Sequence, residues 1–276
     1  MSISAADVKK LRDATGVGMM DCKKALVEAD GDFDAAVELL RKKGQKVAAK
    51  RADREASEGV IATRSDDDKS TAILVEVNCE TDFVARNDDF QDYADRVASL
   101  VMDQKPDNLD ALMAADFEGG RSVEQSLTDM TGKIGEKIDI RRFVVMTSDD
   151  GQVVSYIHPG ARLGVLVDIS GSGDLEDAGR DVAMQVAALN PVARSRDEVS
   201  DEVKTKEKEI AREAALNEGK PENIVDRIAE GKLERYYKDN VLLEQPFVKD
   251  SSKTVGQMLK ERNAEVNRFV RFALGE

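Results

Sequence analysis

A carboxylate and an aromatic ring stand side by side in Asn78-Cys79-Glu80-Thr81-Asp82-Phe83-Val84-Ala85-Arg86-Asn87. An acid next to a large apolar group is poorly suited to breaking bonds but well suited to insertion into another protein. The ring supplies contact area, and the carboxylate can compete for a partner's cations or hydrogen-bond donors. By themselves these residues favour an ordinary structural role, with Phe83 folded into the core and Asp82 capping the next helix.

Other chemistries find little support. The single histidine, His158, lies in Tyr156-Ile157-His158-Pro159-Gly160-Ala161-Arg162, which reads as a hairpin turn. One histidine, and no HExxH or Cys-x-x-Cys pattern, argue against a zinc site. There is no Gly-x-Ser-x-Gly elbow and no phosphate-cradling Gly-x-x-x-x-Gly-Lys-Ser/Thr loop. Gly171-Ser172-Gly173 follows a strand pattern, but its spacing to Gly179 does not fit a dinucleotide fingerprint. No metal site, cofactor or catalytic residue is expected.

The elements around the acid–aromatic pair explain how it is displayed. Ala72-Ile73-Leu74-Val75-Glu76-Val77 reads as a buried strand, and Phe90, Tyr93, Ala94, Val97 and Leu100 mark the apolar face of a following helix. Strand-to-helix turns are common places for working residues. The pattern recurs: Leu166-Val167-Asp168-Ile169 lies 92 residues after Leu74 to Val77, with a helix ending Val186-Ala187-Ala188-Leu189. The connecting loop is three residues shorter in this second copy, because the helix ends at Leu100 and Leu189 are only 89 apart. Hairpins at Gly59 to Ala62 and Gln152 to Ser155 precede the two strands. Ser122-Val123-Glu124-Gln125 leading to Ile140-Arg141-Arg142-Phe143-Val144-Val145 likewise matches Thr254-Val255-Gly256-Gln257 leading to Val266 to Phe272.

The expected fold is therefore α+β, with two related subdomains built on antiparallel sheets, at 55–140 and 141–276. Before them, residues 1–54 read as three short helices and a basic linker. Ser4-x-x-Asp7 caps the first helix, Asp30-Gly31-Asp32 precedes the third, and Gly44 is expected to end it. A core this small fits a docking module better than an enzyme. The second subdomain carries an insertion at 197–240, about half of it charged, that reads as a helical hairpin. Val199, Val203, Ile210 and Ala214 are its expected inner stripe, facing Ile224, Ile228 and Tyr236.

The chain has 276 residues, 41% hydrophobic and 35% charged, with a net charge of −14. So negative a chain repels phosphate backbones, so direct nucleic-acid binding is not expected. Its start lacks a basic and an apolar segment, and no apolar run reaches the ~20 residues that span a bilayer. Cys22 and Cys79 are far apart and sit in apolar patterns, as reduced buried thiols do. These features predict a cytoplasmic protein without membrane attachment. A homodimer stays open.

Three motifs resemble the bacterial translation elongation factor Ts family. They are Leu11-Arg12-Asp13-Ala14-Thr15-Gly16-Val17-Gly18-Met19-Met20-Asp21-Cys22-Lys23-Lys24-Ala25-Leu26, the stretch Glu76 to Asn87, and Gln245-Pro246-Phe247-Val248-Lys249-Asp250 with Lys253-Thr254-Val255-Gly256. They occur in the family's order along the whole chain. The resemblance implies a ubiquitin-associated-like (UBA-like) bundle, a duplicated core, an inserted coiled coil, and guanine-nucleotide exchange on the GTPase elongation factor Tu. It implies that Thr81, Asp82, Phe83 and Val84 form the exchange wedge. Phe83 would part the partner's helices, and Asp82 would disturb the contacts around its Mg²⁺. It further implies that His158 touches the partner beside the wedge, and that Arg12, Met19 and Met20 form a docking edge on the bundle. Ala161 stands where some relatives have a second glycine. Many relatives continue past the last strand into another helix. This chain stops at Phe272-Ala273-Leu274-Gly275-Glu276, so that contact is expected to be absent or made differently.

Overall fold

The computed structural model describes residues 3–276. The N-terminal helices are α1 (Ala5–Thr15), α2 (Met19–Glu28) and α3 (Phe33–Arg51). Ser4 and Asp7 form a reciprocal capping box on α1, and Gly16, with φ of 65°, closes it in the left-handed conformation. Val8, Leu11, Cys22, Ala25, Leu26, Ala36 and Leu40 fill the core between the three helices.

The first subdomain contains β1 (Glu58–Ser65), β2 (Thr71–Cys79), α4 (Asp82–Ala85), α5 (Asp88–Gln104), α6 (Leu109–Ala114), the short strands β3 (Asp116–Glu118) and β4 (Arg121–Ser122), α7 (Val123–Ile134) and β5 (Asp139–Thr147). The second contains β6 (Gln152–Ile157), β7 (Leu163–Gly171), α8 (Leu175–Leu189), α9 (Asp201–Asn217), α10 (Glu222–Asn240), the short strands β8 (Pro246–Phe247) and β9 (Asp250–Thr254), α11 (Val255–Glu261) and β10 (Ala264–Ala273). Each main sheet is antiparallel with its hairpin's second strand in the middle, in the orders β1-β2-β5 and β6-β7-β10.

The two sheets pack face to face, with helices outside. Strand β2 is buried along its whole length because both its faces are covered. Ile73, Val75, Val77 and Cys79 meet Phe90, Tyr93, Val97 and Val101 of α5. Ala72 and Leu74 point the other way, onto Leu166 and Phe272 of the second sheet. In β7, Val165, Val167 and Ile169 face Ala178, Val182 and Val186 of α8.

The duplication extends to detail. Ninety-two residues separate Glu76 from Asp168, and 126 separate Arg142 from Arg268. Both carboxylates are buried, and each pairs with its arginine, Glu76 with Arg142 at 2.7 Å and Asp168 with Arg268 at 3.2 Å. Each outer strand also has a bulge beside that arginine, at Arg141 and at Asn267. Both late helices, α7 and α11, start with a capping box, Ser122 with Gln125 and Thr254 with Gln257.

Three expectations need correction. Gly44 does not end the third helix: α3 continues to Arg51 and takes in much of the basic stretch. Gly44 is buried, and a Cβ at Gly132 of α7 would lie 2.6 Å from its Cα. Two glycines let α3 cross α7 with backbones nearly touching, so here glycine marks a crossing and not a terminus. A division between residues 140 and 141 cuts β5, which stays paired with β2 as far as Thr147. The hairpin's inner seam is formed by Ala211, Ala215, Val225, Ala229, Leu233 and Tyr237. Val199 is buried and Val203 and Tyr236 pack beside it as expected, but Ala211 and Ala215 take the inward places expected for Ile210 and Ala214, and Ile210 is half exposed. Small alanines turn inward because they allow the two helices to pack closely.

Candidate functional site

The Asp82–Phe83 corner is built as a braced projection. Thr81 caps the four-residue α4, its Oγ1 accepting from Val84 N at 3.4 Å. Asn87 caps α5, accepting from Asp89 N at 2.9 Å. Gln91 Nε2 donates to Ala85 O at 3.2 Å and joins the two helices. The Cys79 thiol donates to Thr81 O at 3.2 Å. Burial pushes that thiol's pKa up to about 12, with the Glu136 charge adding to the shift, so it stays protonated and works as a donor.

Two glutamates then fasten the corner to the chain that follows α7. Glu136, just after α7, accepts from Thr81 N at 3.0 Å and from Thr81 Oγ1 at 2.8 Å. Glu80 accepts from Lys137 N at 2.6 Å and from Arg51 Nη1 at 2.7 and 2.9 Å. Burial opposes ionisation of Glu80. The Lys137 N–H and the Arg51 guanidinium outweigh it and hold the carboxyl below the ordinary glutamate range.

On this support Phe83 is 82% exposed, the most exposed large hydrophobic side chain among the described residues. It does not fold back into its own core. Asp82 caps nothing. It pairs with Arg86 at 3.0 Å across the surface, a contact between exposed groups of about 0.3–0.5 kcal/mol that is easily exchanged for another. Val84 packs against the first subdomain's core and Ala85 is buried. Of the four expected wedge residues, then, Asp82 and Phe83 project while Thr81 and Val84 anchor.

The second subdomain brings its histidine turn to the first. Ile61 of β1 donates its N–H to Ala161 O at 2.7 Å, and Arg162 forms an ion pair with Glu58. The Glu58 hydrogen bond, reinforced by the Glu58 and Asp82 charges, raises the Arg162 pKa. Arg162 therefore lies within electrostatic reach of the corner, which its sequence position gave no reason to expect. His158 is exposed, and its Nδ1 is 2.9 Å from the Tyr156 hydroxyl. Ala161 adopts a φ of 53°, so the turn keeps the left-handed shape that a glycine would favour. Arg12, Met19 and Met20 are each exposed on the bundle, as is Val27, 61% exposed, an apolar side chain absent from the sequence-based set.

No group of three or more His, Cys, Asp and Glu side chains among the described residues is arranged to hold a metal, and no helix among them is long and apolar enough to cross a membrane. Fold and site together define a duplicated α+β protein that displays an acid–aromatic corner on its surface. A family model described as elongation factor TS matches residues 80–276. The elongation factor Ts of Chloroherpeton thalassium is 51% identical over 99% of both chains, and that of Prosthecochloris aestuarii is 50% identical over the same shares. The elongation factor Ts of Alkalilimnicola ehrlichii is 49% identical over all of this chain and 93% of its own. The chain belongs to the elongation factor Ts family of translation elongation factors.

Proposed function

We propose that this protein is a cytoplasmic guanine-nucleotide exchange factor for elongation factor Tu, acting by insertion and without catalytic chemistry of its own. The observation that carries this reading is the exposure of Phe83 on a corner braced by residues that leave Asp82 free to change partners. A guanine nucleotide held at nanomolar affinity is bound by about 12 kcal/mol. The factor need not match that figure, only bind the empty GTPase more tightly than the loaded one. The coupling is reciprocal, so incoming nucleotide displaces the factor. Burial of Phe83 between partner helices contributes about 1.5–3 kcal/mol. Asp82 weakens the contacts around the partner's Mg²⁺, which screens the nucleotide phosphates. His158, Arg12, Met19 and Met20 give further contacts that set the approach.

Stopped-flow release of a fluorescent GDP from elongation factor Tu tests this. Phe83→Ala is expected to keep its fold and to lose about 10-fold or more of the acceleration, as a deficit of at least ~1.4 kcal/mol requires. Acceleration equal to the unmodified protein would sink the insertion mechanism.

A further inference from the structure

The supports of the corner form a junction of three parts of the chain. Glu80 and Glu136 strap it reciprocally: the side chain of residue 80 takes the backbone N–H of residue 137, and the side chain of residue 136 takes the backbone N–H of residue 81. The third part is the end of α3. Arg51 grips Glu80 with one nitrogen shared between both carboxylate oxygens, and Lys137 Nζ donates to Ala52 O, at the helix C-cap, at 2.9 Å. The Gly44–Gly132 crossing fixes the same two helices one level up, where α3 meets α7. Helix α7 leads directly into Glu136.

The geometry points to Glu136 and Glu80 as positioning residues that hold Phe83 in its projecting pose, and to Arg51 as the tie that makes the N-terminal bundle and the corner one rigid recognition unit. This rests on the exchange reading above for its functional consequence, but not for its structural one. Thr81 is the pivot. Its N–H and hydroxyl both go to Glu136, so loss of that carboxylate leaves the start of α4 tied only through its own cap and the Cys79 thiol on Thr81 O, with Gln91 and the packing of Val84 and Ala85 holding its far end. Four residues do not sustain a helix by themselves. The corner would then sample poses in which Phe83 is no longer presented, and productive encounters would fall by the fraction of time lost. Arg51 acts differently. Without it the corner keeps Glu136 and the α3–α7 crossing still docks the bundle, but the end of α3 loses its grip on Glu80, so Met19 and Met20 are held less firmly relative to Phe83 and simultaneous engagement of both surfaces carries a larger ordering cost.

The test uses the full chain. Amide hydrogen exchange on Glu136→Ala is expected to show at least about 10-fold faster exchange at Val84 to Asn87, with β2 and α5 unchanged. Unchanged exchange there would overturn the strap whether or not the protein acts on a GTPase. In GDP release from elongation factor Tu, Glu136→Ala is expected to cost several-fold in apparent affinity more than in the rate at saturation. Glu136→Gln, whose amide oxygen still accepts from Thr81, should recover most of the loss. In a Phe83→Ala background, Glu136→Ala should add little. A full, additive loss there would show that Glu136 acts through something other than Phe83, and would overturn the positioning role. If Phe83→Ala alone leaves release unchanged, the insertion mechanism fails while the hydrogen-exchange result still decides the strap. Arg51→Ala should weaken apparent affinity with the rate at saturation retained. An equal fall in both, or in neither, would remove the tie to the bundle.

Discussion

The corner that follows β2 and the one that follows β7 occupy equivalent places in the two subdomains, and they are built for opposite ends. The second is short and flat. Gly171 has a φ of 133°, and a Cβ there would lie 2.2 Å from Asn263 O. A Cβ on Gly173 would lie 1.9 Å from Arg262 O. The chain passes tightly beneath the turn before β10, and α8 starts at once under an Asp174 cap. The first corner contains an additional short helix, and that helix presents Phe83. Duplication supplied two copies of a frame, and the packed joint differs from the projecting one in length: residues 80–87 link β2 to α5 where residues 172–174 link β7 to α8, a larger difference than the three residues expected from the helix ends. The second subdomain is elaborated elsewhere, at the α9–α10 hairpin and at the turn carrying His158.

The buried carboxylate–arginine pairs extend the contrast to the sheets. Asp168 keeps further donors, Ser148 Oγ at 2.7 Å and Asn267 Nδ2 at 3.1 Å. Glu76 has Arg142 at 2.7 Å and Asn78 Nδ2 at 3.1 Å, and Arg142 also stacks on Phe272 and donates to Ala273 O. The largest expected effect is therefore Arg142→Ala, which leaves a fully buried carboxylate with only the Asn78 amide for a side-chain donor and removes a contact between the two sheets, at a cost of about 3–5 kcal/mol. Arg268→Ala should cost clearly less, about 1–2 kcal/mol, because Asp168 retains hydrogen bonds. Urea unfolding of the two variants measures the difference, and equal losses would end the claim that the pairs are unequal.

The corners should separate in the same way. Gly173→Ala is expected to destabilise by about 1–3 kcal/mol through backbone overlap while leaving GDP release at saturation unchanged. Phe83→Ala should do the reverse, losing exchange with stability within about 0.5 kcal/mol, because a surface ring is removed. Thermal unfolding run beside the release assay reads both. A release defect in Gly173→Ala would mean that the second corner is more than a joint.

The smallest effect is electrostatic. Glu80 is held below its ordinary pKa, so its contribution is fully present above the ordinary glutamate value and is lost as pH falls through the lowered one. At neutral pH, Glu80→Gln should be less stable than the unmodified protein by about 1 kcal/mol. The two should converge as acid protonates Glu80. A gap that persists or widens toward pH 3 would exclude this carboxylate as the source.

The frame was legible in the sequence because long elements repeat their side chains with a period. Strand β2 and helix α5 bury the residues their patterns mark, and the capping residue Ser4 signals a helix start through local hydrogen bonds. The duplication was visible for the same reason. The three motifs of the family are also local. Tertiary structure alone decided where Phe83 points, since α4 is barely one turn long and a single aromatic residue has no period to read. It decided that Gly44 lies at a helix crossing, because its partner Gly132 is distant in the chain. It turned Ala211 inward in place of Ile210 in the hairpin seam, since close approach of two helices selects alanine over larger residues. The junction of Arg51, Glu80, Glu136 and Lys137 left no local trace either. Its hydrogen bonds join residues 29 to 85 positions apart, and ionic side chains on a surface look alike in sequence until folding brings their partners within reach.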